Sequence, residues 1–147
     1  MALAVLAIGM AVTVMAFRPD PARQLGQEAE RLALLLEQAE DESALGGAPL
    51  AWVARVDGYE FQRRTLNDTG PNWITEHGDD LLHPRRLPEA ARIETALADT
   101  APLAFGERAV LGEHGIQNLS VVLALGEARM RVERQPDGRY RHVEVSG

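Results

Sequence analysis

The sequence predicts an α+β fold: one long N-terminal helix, an apolar anchor followed by an amphipathic half, packed on an antiparallel β-sheet body. Three observations carry that prediction. Residues Met1 to Phe17 hold no charge and a single polar side chain, Thr13. Leu25, Ala29, Leu32, Leu36, Ala39 and Ser43 then recur at steps of 4, 3, 4, 3 and 4, which is the spacing of one helix face. Beyond Gly47 the apolar residues change to short patterns bounded by turn residues, as strands do. The implied organisation is an apolar helix over residues 1–17 and a domain over 18–147, the latter with an amphipathic helix at 22–45 and a β-rich body at 48–147.

Seventeen helical residues span about 25 Å, somewhat less than the ~30 Å hydrocarbon core of a bilayer. Three roles fit such a run. A buried helix this apolar needs cover on every side, which a small body supplies poorly. A secretory signal is suggested by Val14-Met15-Ala16, yet no basic residue precedes the run, whereas signal peptides begin with a positive region. A retained membrane helix fits best, with its first residues encoded upstream of Met1. Its candidate membrane or filament-core residues are Ala2, Leu3, Val5, Leu6, Ile8, Gly9, Val12, Val14 and Phe17.

Arg18-Pro19-Asp20-Pro21 kinks the helix or stops and restarts it, with Asp20 placed to cap the second piece. In that piece Leu25, Ala29, Leu32, Leu36 and Ala39 form the packing face, and Leu34 and Leu35 widen it. Glu28, Glu30, Arg31, Glu37, Glu40, Asp41 and Glu42 occupy the remainder, and Gly46-Gly47 supplies a stop. A hairpin follows: Leu50 to Val56, a turn at Asp57-Gly58, and Tyr59 to Arg63, with Tyr59 and Phe61 facing the helix. Leu66 to Pro71 reads as a loop, and Trp73 to Pro88 as irregular chain. Further strands are expected at Arg92–Leu97, Ala101–Phe105, Ser120–Leu125, Ala128–Glu133 and Tyr140–Val145, the last with a bulge or twist near His142.

A net charge of −7 argues against nucleic acid, whose phosphates it would repel. All fifteen basic residues are Arg, scattered along the chain, and there is no Cys to form a disulfide, a thiolate nucleophile or a metal ligand. His77-Gly78-Asp79-Asp80-Leu81-Leu82-His83 contains metal-ligand types, but its spacing matches no zinc motif and it reads as a solvated loop. No nucleophile elbow, P-loop or dinucleotide fingerprint is present, and His114 and His142 stand alone. No catalytic residue, cofactor or metal is therefore expected, and the chain reads as a non-enzyme. Trp52 reads as core, and Trp73 as a loop residue and candidate interface anchor.

These features together resemble a type IV pilin-like protein, and more closely the H-type minor pseudopilin of the type II secretion system. The resemblance rests on the run Ala2-Leu3-Ala4-Val5-Leu6-Ala7-Ile8-Gly9 and on Gln27 to Glu42, which contains Glu30-Arg31-Leu32-Ala33-Leu34-Leu35. Ala51-Trp52, the Asp57 to Phe61 hairpin and Leu82-His83-Pro84-Arg85-Arg86-Leu87 extend it, and it weakens past Pro88. The family's Gly-aromatic processing signature with its following Glu, where cleavage and methylation occur, does not precede the apolar run. The expectation is that translation begins upstream.

The resemblance implies a single-pass inner-membrane protein with its C-terminal domain in the periplasm, a subunit near the tip of a short pseudopilus. Its implied partners are other pseudopilins, major and minor, the inner membrane and secreted cargo. Alternatives are a minor pilin of a type IV pilus and a small exported periplasmic protein released by signal cleavage.

Overall fold

The computed structural model describes residues 20–46, 48–67, 69–78, 81–112 and 115–145. The apolar run from Ala2 to Phe17 lies outside the described residues, as do Asp79, Asp80 and His114.

Helix α1 spans Pro21–Gly46. Asp20 accepts a 3.2 Å hydrogen bond from the Ala22 backbone through its carboxylate and a 2.9 Å bond from the Gln24 amide through its carbonyl. Pro21, at the first helical position, has no amide donor to leave unpaired. Ten strands follow: β1 (Leu50–Arg55), β2 (Gly58–Asn67), β3 (Gly70–Thr75), β4 (Arg85–Arg86), β5 (Ala91–Ala98), β6 (Ala101–Pro102), β7 (Arg108–Val110), β8 (Leu119–Leu125), β9 (Ala128–Arg134) and β10 (Tyr140–Glu144). All pairings are antiparallel. The first sheet runs β3-β2-β1-β7, with β4 beside the start of β2, and the second runs β10-β9-β8-β5-β6. One helix on antiparallel strands is thus the observed class, with the body divided into two sheets.

The helix packs on β8, β9 and β10 of the second sheet and on β1 of the first. Leu25, Ala29, Leu32, Leu36 and Ala39 are wholly buried there. They meet Trp52, Tyr59 and Phe61 from the first sheet and Val121, Leu123 and Val132 from the second in one apolar cluster. Trp52 and Tyr59 lie 6.1 Å apart between ring centres, and Tyr59 meets Phe61 edge to face at 6.3 Å. Both separations lie in the range where aromatic pairs attract beyond their buried area.

Several local expectations are corrected. The first hairpin pairs Arg55 with Gly58, so its turn is Val56-Asp57, one residue earlier than the Asp57-Gly58 pattern suggested. Gly58 is needed for another reason: a Cβ there would collide with the carbonyl oxygen of Arg85, so β4 approaches β2 closely only because a glycine is present. The first part of the stretch read as loop and irregular chain forms a hairpin instead, with Asn67 paired to Gly70 and Trp73 on β3 opposite Arg64, while the described residues from Glu76 to Pro88 are irregular apart from β4. β2 is long enough to pair with β1 at one end and β3 at the other. In β10 the pairing with β9 is unbroken from Tyr140 to Glu144, so His142 marks no bulge. The register shift lies in β5, between Ile93 and Thr95.

Candidate interaction surface

Three sets of side chains decide what this body presents to a partner. The first fixes the helix. Arg63 bridges Glu42 at 3.3 Å and Glu76 at 2.7 Å, tying α1 to the first sheet. Arg134 on β9 bonds Glu40 at 2.9 Å and the Gln117 carbonyl at 3.2 Å. Glu37 accepts the Tyr140 amide at 2.8 Å, satisfying a donor on the open edge of the second sheet. At the helix end the Ser43 hydroxyl donates to the Leu111 carbonyl at 3.2 Å and accepts from the Leu50 amide at 3.4 Å. The helix carboxylates beside the body therefore act as clasps, so α1 and the two sheets move as one unit.

The second set is the outward stripe of α1. Gln27, Glu30, Leu34, Asp41, Ala44 and Leu45 are exposed, with Leu34 at 59% and Leu45 at 89%. Arg23 and Arg31 are exposed there as well, so this face mixes charges of both signs with the two leucines set among them.

The third set lies on the side of the first sheet turned away from the core, and the sequence reading missed it. Strand β1 is buried on both faces: Leu50, Trp52 and Ala54 point to the core, and Ala51 and Val53 are equally buried on the other side. A single layer of side chains from β2, β3 and β7 covers that second face. Glu60, 8% exposed, accepts from the Arg55 guanidinium and from the Thr75 hydroxyl. Burial pushes the Glu60 carboxyl up, but the Thr75 and Arg55 hydrogen bonds and the Arg55 charge outweigh it and hold it below the ordinary carboxylate value. Gln62, 6% exposed, accepts a 2.6 Å bond from Arg108. Arg108, rooted on β7, reaches across β1 and β2 to lie 5.6 Å from the Trp73 ring centre, a cation–π distance. The alternation of Glu60, Gln62 and Arg64 with Tyr59, Phe61 and Arg63 was the available signal. It reads as an ordinary solvent face until β3 and β7 are placed beside it.

A cleft of about 660 Å³ lies between Glu37, Glu40 and Asp41 of the helix and the β9–β10 turn at Asp137 to Arg139. Its charges are of both signs, Glu37, Glu40, Asp41 and Asp137 with Arg134 and Arg139, and Arg134 is committed to Glu40. Among the described residues no three His, Asp or Glu side chains are grouped to hold a metal ion. Also among the described residues, no helix is long and apolar enough to cross a membrane.

No protein-family model and no curated protein sequence matches the chain. Solved structures do. A structure of the minor pseudopilin EpsH from the type 2 secretion system of Vibrio cholerae superposes with a TM-score of 0.60 at 20% identity, covering 85% of this chain and 98% of that one. The chain has the minor-pseudopilin fold. A second EpsH structure from the same system gives a TM-score of 0.58 at 17% identity, over 87% of this chain and 99% of that one. EpsH is matched over nearly its whole length in both comparisons, so the helix and both sheets belong to the shared architecture. In this pseudopilin fold the clasped helix and the polar sheet face are the surfaces on which a functional reading rests.

Proposed function

We propose that the protein is a minor pseudopilin of a type II secretion pseudopilus, a non-enzymatic assembly subunit acting in protein secretion across an outer membrane. The observation that carries this reading is the similarity to EpsH along 85% of this chain and 98% of that one. In this reading the apolar residues from Ala2 to Phe17 anchor the chain in the inner membrane as a single pass, with residues 18–147 in the periplasm. Ala2, Ala4, Ala7, Gly9 and Ala11 allow close helix approach, so moving from lipid into a filament core exchanges one set of apolar contacts for another. The partners are other pseudopilins, major and minor, and the periplasmic body is the part available to secreted cargo.

The test is deletion of the gene in its own host and complementation with the intact chain. Loss of exported proteins from the medium, their accumulation in the periplasm and recovery on complementation support the reading. Normal secretion with loss of twitching or DNA uptake would place the subunit in a type IV pilus. A soluble native protein whose mature chain starts near Phe17 would instead identify an exported periplasmic protein.

A further inference from the structure

The way the first sheet lines up with α1 gives the body two distinct ends. At one end the Leu50 amide bonds Ser43 and Arg63 bridges Glu42, close to the helix C-terminus. Further along the same strands, Tyr59, paired with Ala54, feels the charges of Glu28 and Arg31 in the first half of the helix. The Val56-Asp57 turn continues beyond that pair, so it lies at the end of the body where α1 begins. The chain before β7 is fastened to the same end, because the Gly106 amide donates to the Ala54 carbonyl at 3.0 Å and so brings Phe105 beside the hairpin. Val56 is 76% exposed there and Phe105 53%. The charges around them are of both signs: Arg55 is paired with Glu60 and Arg86 with Asp57, and Glu107 bonds the Ala104 amide. What distinguishes this end is therefore apolar surface and not net charge.

The length of chain before α1 says what this end faces. Phe17, the last residue of the apolar run, stands four residues before Pro21, the first of the helix. Four residues reach at most about 14 Å even when fully extended. The headgroup layer of one leaflet is about 5–8 Å deep. A body tethered so closely stands on the bilayer with its helix-start end against the headgroups. An aromatic and a branched aliphatic side chain at that end are the types that partition into the apolar side of an interface. Two side chains are too few to hold a free body there, but the tether supplies the local concentration that a weak second contact needs.

We propose that Val56 and Phe105 form a lipid-contact site, inserting into the bilayer interface while the chain waits in the membrane. The inference rests on the anchor reading above and adds a second, reversible contact to it. The site fixes the tilt of the body on the membrane, and it must be released when the subunit leaves lipid for a filament. Because its charges are balanced, the contact holds on uncharged lipid and is indifferent to salt.

The absence of Cys permits a direct test with the full chain in phosphatidylcholine vesicles. Phe105→Cys, Val56→Cys and Leu45→Cys are each labelled with a polarity-sensitive fluorophore. Leu45, 89% exposed at the far end of α1, carries the same label as a control. Floated vesicles are prepared with and without lipids brominated near the headgroup. Labels at 105 and 56 are expected to shift to the blue and to lose about half of their emission to the brominated lipid, while the label at 45 keeps its emission. Raising the salt should leave the quenching unchanged. Emission at 105 and 56 as unquenched as at 45 would overturn the site while flotation leaves the anchor standing. A blue shift without quenching would show that a second protein copy covers these side chains, and would overturn it as well. A full chain that does not float would remove the anchor and this contact together.

Discussion

At the residue scale, Glu60 shows how a single side chain couples burial, charge and surface order. Its carboxylate sits on the side of the sheet away from the helix, yet it is 8% exposed because its partners Arg55 and Thr75 close over it. Its folded pKa lies below the ordinary value of 4.5, so its ionised form stabilises the fold. The sign follows from linkage: the contribution is complete above the unfolded value and is lost as pH falls through the folded one. Glu60→Gln is therefore expected to cost about 1–2 kcal/mol at pH 7, because the charged acceptor is replaced by a weaker one beside Arg55. The gap between wild type and variant should narrow steadily below pH 4.5. Urea denaturation of both proteins at pH 7 and pH 3 measures it, and a pH-independent gap would show that packing rather than ionisation is responsible.

At the element scale, the helix is held by its underside more than by its clasps. Leu36 is completely buried among residues of both sheets, and truncating it leaves a hole that a clasped helix cannot collapse into. Leu36→Ala should cost about 3 kcal/mol in denaturant midpoint measurements, at the level of other buried leucine truncations. A cost near zero would mean that α1 is not integral to the core. The element scale is also where sequence legibility divides. One long helix on antiparallel strands is legible because a 3.6-residue apolar period gives way to short strand patterns at Gly47. Strand β3 is not, since Asn67, Thr69, Gly70 and Pro71 are turn formers in isolation and pair only because β2 continues past Arg63. Strand β7, three residues long, exists because β1 offers it an edge. The polar layer over Ala51 and Val53 is invisible for the same reason: its members come from strands that meet only in the folded sheet.

At the scale of the whole molecule, the titrating groups and the charge distribution set the conditions under which the body is stable and the place it occupies. Burial raises the phenol of Tyr59 well above its usual 10.0, and burial with the nearby Glu40 does the same for Tyr140. A raised folded value gives stability that is complete below the unfolded value and is lost as pH climbs beyond it. Because every basic side chain is Arg, no lysine titrates in that range, and alkaline unfolding reports the tyrosines directly. Stability should fall above pH 10 by roughly 1.4 kcal/mol per pH unit for each tyrosine, and Tyr59→Phe should flatten that slope by about half. The last expectation concerns location. The cap at Asp20 and Leu25, the first buried residue among those described, both lie after the apolar run. A version beginning at Asp20 should therefore stay folded and remain in the aqueous fraction, while the full chain floats with lipid vesicles on a density gradient. The body is net acidic, and among the described residues no helix is long and apolar enough to cross a membrane, so flotation is expected to come from residues 1–17. If the full chain stays at the bottom of the gradient with its truncated form, the apolar run is not an anchor, and membrane attachment falls while the fold stands.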